Sequence, residues 1–145
     1  MTKNDFVDLL KEDLKNEYKH MLFYLNAGVN IQGPHRAEIG EFLLKEAREE
    51  LDHVEEFCRL IIDLDGVADY DKLDYPTTNL TDVALILEEI FRMETEVVER
   101  YVQRIKDAES SLNDVDAKYV SVFLEDQVLH SRQAAADVNQ MLKGI

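Results

Sequence analysis

Glycine and proline mark where this chain can bend, and they are few. There are five glycines and two prolines, so most of the length is left to uninterrupted elements. Gly33-Pro34 breaks the first third, Gly66 and Pro76 bracket the middle, and Gly144 closes the sequence. Gly28 is an exception, lying inside a periodic stretch. Between these points apolar residues recur every three or four positions, the period of a helix. The pattern predicts helices over about 3–32, 35–64, 81–109 and 114–143. Thr2 or Asn4 suits the first N-cap, Pro34 the first turn of the second helix, the Asn79–Asp82 region the third cap, and Asn113 or Asp114 the fourth. Nothing reads as a strand. The expectation is all-α, one four-helix-bundle domain over residues 1–145, a length that suits one core and is short for two.

The connections constrain topology. The first and second helices, and the third and fourth, are joined by short links, so each pair reads as an antiparallel hairpin. The middle connection covers about residues 65–80. Extended, it reaches roughly 53 Å, while a 28-residue helix is about 42 Å long. One long crossover can therefore run the length of the bundle and set the second and third helices parallel.

Charge narrows the partners. Asp and Glu number 31 against 16 Lys and Arg, a net charge of −15. A polyanion with no basic tail repels phosphate backbones, which argues against nucleic acid. Cys58 is the single cysteine, which rules out an intramolecular disulfide and a Cys-based zinc site. The opening MTKNDFVDLL lacks a signal-peptide core, and no apolar run nears the roughly 20 residues of a membrane span. A cytoplasmic protein with no membrane partner is expected.

An internal repeat carries the chemistry. Glu17 and Glu94, Tyr24 and Tyr101, and His53 and His130 are each 77 positions apart. Glu50 pairs at the same offset with Gln127, the one departure. Each half thus has a Glu, a Tyr seven residues on, and a pair spaced i, i+3 that ends in His: Glu50-Leu51-Asp52-His53, then Gln127-Val128-Leu129-His130. All six non-tyrosine positions fall on inward apolar seams, between residues such as Leu14 and Met21, Leu43 and Phe57, Ile90 and Val97, and Phe123 and Ala134. A buried charge is costly unless paired or metal-bound. Residues i and i+3 share a helix face, and carboxylate with imidazole suits Fe(II), Mn(II) or Zn(II). Glu17, Glu50, His53, Glu94, Gln127 and His130 are therefore the candidate metal ligands. Tyr24 and Tyr101 are candidates for hydrogen-bonding those ligands, for a redox role beside them, or for packing alone. His20 makes a third Glu-x-x-His with Glu17, but it falls off the seam and is expected at the surface or a subunit contact. Glu46, another seam acid, is expected partly exposed or in a helper role.

On these residues the sequence resembles the ferritin-like di-iron carboxylate family, and within it the bacterioferritins, over essentially the whole chain. The resemblance implies a ferroxidase, an oxidoreductase that oxidises Fe(II) with O2 or peroxide at a di-iron site inside the bundle. It makes Glu17 and Glu94 terminal carboxylates, His53 and His130 terminal imidazoles and Glu50 a bridge, with Gln127 where a second bridging Glu belongs. Leu51 stands where haem-binding bacterioferritins use Met, so no haem is expected. The sequence ends at Ile145 with no match to the extra short C-terminal helix of the large ferritin cages. A homo-oligomer, at least a dimer, is expected.

Gln127 changes the charge balance. Two Fe(II) ions bring four positive charges, and Glu17, Glu50 and Glu94 supply three negative ones, so a poorly solvated site is left with one excess positive charge. Three outcomes stay open: two irons with the second weakly held, one metal, or an inactive site. The alternatives to a ferroxidase are a non-catalytic or single-metal ferritin-like protein, and a di-iron oxidase with an organic substrate.

Overall fold

The computed structural model describes residues 1–70, 72–74 and 79–145. Pro76, expected to bracket the middle connection, lies outside the described residues. Four helices follow in order: α1 Lys3–Asn30, α2 Arg36–Asp63, α3 Val83–Ser111 and α4 Asp114–Lys143. Among the described residues there is no strand.

Local chemistry sets the helix ends. At α1 the Thr2 hydroxyl accepts from the Asp5 N–H at 3.1 Å, and the Asp5 carboxylate accepts from the Thr2 N–H at 3.0 Å. This reciprocal cap satisfies two N–H groups that a helix start leaves over. Asp82 caps α3 by accepting from the Leu85 N–H at 3.0 Å. Asn113 caps α4 by accepting from the Asp116 N–H at 2.8 Å. The start of α2 differs from expectation. Its N-cap is His35, without a side-chain cap bond, so Pro34 stands in the preceding turn and not in the helix. Gly33, at φ 103°, makes that turn in a region that a side chain disfavours. Instead of capping, His35 bonds through Nδ1 to Glu38 Oε1 at 3.1 Å. Glu38's own backbone N–H, then His35, hold its carboxyl below the usual range. At the end of α2 the Gly66 N–H reaches the Ile61 carbonyl at 2.9 Å and the Asp65 N–H reaches that of Ile62 at 3.0 Å. Asp65 takes φ 67° to close this turn.

The chain divides into two compact units, Leu10–Ile86, and Leu87–Ile145 with Met1–Leu9. In the first unit α1 and α2 form a hairpin. Its core includes Leu10, Leu14, Tyr24, Ile31, Leu43, Phe57, Leu60 and Ile61, all at most 1% exposed. Each such side chain stabilises the fold by about 1.5–3 kcal/mol. The helices approach closely near the turn, where a Cβ on Gly28 would sit 3.0 Å from Leu44 Cδ2 and 3.2 Å from Leu43 Cβ. A side chain there would hold the helices apart, so the glycine serves packing inside a helix that it otherwise weakens.

The connection after α2 returns along this hairpin. Asp69 pairs with Lys11 on α1 at 2.9 Å, and the Tyr70 ring packs on Tyr18. Near its far end the Thr81 carbonyl accepts from the Gln32 N–H at 2.9 Å. Its two anchored ends lie against α1 near residue 11 and against the turn after α1. The connection therefore travels most of the helix, the long crossover expected from its length.

In the second unit α3 and α4 also run antiparallel. Phe91, Thr95 and Val98 share a groove with Arg132, Ala135 and Asn139, while Ile105 and Glu109 share another with Asp114 and Lys118. Early α3 thus meets late α4, and late α3 meets early α4. The core includes Phe6, Leu87, Ile90, Tyr101, Val120, Leu124 and Val138, none of them exposed.

Candidate metal centre

Three of the expected ligands come together in the α1–α2 hairpin. Glu17 is 3% exposed and Glu50 is 2% exposed. The His53 Nδ1 lies 3.4 Å from Glu50 Oε2 and 4.0 Å from Glu17 Oε2. The reason is local: residues three apart on α2 share a face, and the antiparallel register puts α1 position 17 opposite it. Leu14 and Tyr24 on α1, with Leu43 and Phe57 on α2, bury the surroundings of the cluster. Two carboxylates crowded beside one imidazole away from water form a site of strong negative potential. A divalent cation relieves that repulsion, and the oxygen and imidazole donors suit iron. The donor set therefore fits the metal that the resemblance implies.

The α3–α4 hairpin repeats the set. Glu94 is 1% exposed and Gln127 is 5% exposed, while His130 is partly exposed. Tyr101, seven residues after Glu94, is fully buried, as Tyr24 is after Glu17. The repeat in sequence is thus a repeat in burial: a carboxylate and a tyrosine on one helix, an amide or acid with an imidazole on the next.

Two expectations need correction. His20, expected at the surface or a subunit contact, is buried at 8% exposure. Glu46, expected partly exposed or in a helper role, is buried at 7%, which removes the first of those two options. The cause for His20 is that the buried face of α1 is wider than the expected seam: besides Leu10, Leu14, Glu17 and Tyr24 it takes in Phe6, Asp13, His20, Phe23 and Ala27. Asp13, fully buried, was missed for the same reason. Its position four residues before Glu17 is the signal that could have found it. Arg104 was also missed. It is buried and pairs through Nη1 with Asp107 Oδ2 at 2.9 Å. Asp13, Glu17 and His20 on α1 have the same spacing as Glu46, Glu50 and His53 on α2. The hairpin thus carries two matching polar rows.

The family model for ferritin-like domains matches residues 7–142, and the chain belongs to that family. Its fold is the ferritin-like four-helix bundle. Among solved structures it is similar to a ferritin-like diiron-carboxylate protein from Bacillus anthracis str. Ames, with 23% identity and a TM-score of 0.85 over 97% of this chain and 96% of that one. It is similar to the bacterioferritin of Mycobacterium tuberculosis, with 20% identity and a TM-score of 0.80 over 97% of this chain and 85% of that one. A Dps protein from Bacillus brevis gives 12% identity and a TM-score of 0.86 over 97% and 96%. At these identities the likeness is one of fold. No curated protein sequence matches the chain. Among the described residues no helix is long and apolar enough to cross a membrane.

Proposed function

We propose that this chain is a bacterioferritin-like ferroxidase, acting as a single domain in the cytoplasm. In this reading the Glu17, Glu50, His53 set and the Glu94, Gln127, His130 set each supply donors to Fe(II) as substrate. The observation that carries the reading is the Glu17–Glu50–His53 cluster, whose residue pattern recurs 77 positions later, within a ferritin-like family member. With peroxide as oxidant, two Fe(II) give up two electrons, the O–O bond breaks, and two protons complete two waters.

The residues divide the work. Glu50, beside His53, supplies the bridging carboxylate of the pair. Glu17 and Glu94 supply one negative charge each at the ends, and His53 and His130 supply neutral donors that do not add to the repulsion. Gln127 offers a carbonyl oxygen without charge, so the two metal positions differ in affinity. Buried Tyr24 and Tyr101 orient the acids seven residues before them or donate an electron. The apolar surroundings exclude water and strengthen every charge interaction inside. Large apolar side chains left on the outside, such as Leu25 and Val29 on α1 and Leu51 on α2, support a homo-oligomer of at least a dimer, which light scattering checks.

Aerobic addition of Fe(II), with ultraviolet absorbance of the ferric product, tests the activity. The expected result is oxidation well above that of a Glu50→Ala, His53→Ala double variant. Equal rates would leave a metal-holding protein without catalysis.

A further inference from the structure

The crossover meets α1 through two aromatic rings. The ring centroids of Tyr18 and Tyr70 are 5.0 Å apart, and the planes are inclined at 57°. One residue away, Asp69 is tied to Lys11 at 2.9 Å, which holds the Tyr70 segment against α1. Tyr18 is half-buried, and Tyr70 is 40% exposed, so a small diffusible oxidant can reach the pair. Tyr24 and Tyr101 are fully buried, and Tyr119 stands exposed on α4. Among the described residues, Tyr18 and Tyr70 are the tyrosines in ring contact.

We propose that Tyr18 and Tyr70 form a site of oxidative coupling, joined as 3,3′-dityrosine by one-electron oxidants such as hydroxyl radical. Each radical takes a hydrogen atom from one phenol and becomes water. The two phenoxyl radicals then join through the ring carbons next to the hydroxyl-bearing carbons. Each ring returns to a phenol by moving its displaced hydrogen to oxygen. The net change is one new carbon–carbon bond and the loss of two hydrogen atoms. Contact geometry favours this pairing because two short-lived radicals held side by side combine before either diffuses to another chain. The bond ties the start of the crossover to α1, beside the Asp69–Lys11 ion pair.

The test uses the chain of residues 1–145 without metal, oxidised briefly by a photoexcited ruthenium complex with persulfate. A parallel sample receives Fe(II) and hydrogen peroxide. Trypsin then separates residues 16–19, which contain Tyr18, from residues 60–72, which contain Tyr70. The expected result is a linked 16–19/60–72 peptide, two hydrogen atoms lighter than the sum of the parts, from protein that migrates as a monomer in denaturing gels. The link is lost in Tyr18→Phe and in Tyr70→Phe, and kept in Tyr119→Phe. Amides of residues 64–70 exchange more slowly after oxidation. Absence of the linked peptide from protein that circular dichroism shows to be folded overturns the proposal. So does dityrosine confined to links between chains. Because the ruthenium arm needs no iron, failure of the ferroxidase reading leaves this result unaffected.

Discussion

The Nδ1 of His53 lies 3.4 Å from Oε2 of Glu50, one turn earlier on α2. Glu17 approaches the same ring nitrogen from α1 at 4.0 Å. An imidazole between two buried carboxylates is a polar cluster that hydrophobic packing alone has no reason to build. The four predictions below follow from this cluster, from its counterpart on α3 and α4, and from the hairpin that carries it.

Gln127 is buried at 5% exposure, so a charge placed there has little access to water. Gln127→Glu is expected to lower the melting temperature of the metal-free protein, because a further acid joins a buried acidic region. It is also expected to tighten the second metal position and to enlarge the rise in melting temperature on adding metal. Calorimetric titration with Fe(II) under anaerobic conditions, beside the wild type, gives the stoichiometry and affinities. Equal occupancy in both proteins counts against a two-metal site limited by charge.

Gly28→Val is expected to destabilise the fold by about 1–3 kcal/mol, the usual cost of forcing atoms into a packed contact. The first added carbon would already press on Leu44 and on Leu43 Cβ. Urea unfolding followed by circular dichroism measures the change. A variant as stable as the wild type would show that α1 and α2 have room to separate.

Asp65 sits at φ 67° where α2 ends. A side chain in that region costs about 1–2 kcal/mol, and glycine returns part of the gain as chain entropy in the unfolded state. Asp65→Gly should therefore stabilise by roughly 0.5–1 kcal/mol. A midpoint shift to lower urea would mean that the Asp65 side chain does more than occupy the turn.

Burial, with a smaller effect from Glu55, raises the Cys58 thiol above its ordinary pKa of 9.0. A raised pKa leaves less thiolate at any given pH, and thiolate is the reactive form. Alkylation by iodoacetamide at pH 8 is expected to be slower in the folded chain than in urea. The folded rate should climb as pH rises through the raised pKa. Matching rates in both states at pH 8 would contradict the shift.

How much was legible in the sequence follows from the range of each interaction. The four helices, the caps at Thr2, Asp82 and Asn113, and the long crossover follow from local preference and from spacing. Each depends on residues a few positions apart, which the sequence displays directly. The same holds for the ligand candidates, because the 77-residue repeat and the i, i+3 pairs are linear patterns. Pro34 was misplaced because proline suits a turn as well as a first helical position, and the positive φ of Gly33 decides for the turn.

The sequence could not fix the rotation of α1. Its apolar seam contains Leu14, Glu17 and Tyr24, but small turns of the helix about its axis extend the buried face to one side of that seam or the other. Packing against a partner chooses between them. That choice buries Asp13 and His20, which a linear reading leaves outside. Glu46 belongs to the same case, since its burial depends on what covers α2. The ring contact of Tyr18 and Tyr70 joins residues more than fifty positions apart that share no periodicity. It exists because the crossover folds back along α1. The sequence alone thus determined the elements and the repeated set of candidate ligands. Only the tertiary structure decided which polar side chains leave water, because burial depends on the partner face and not on the residue that is buried.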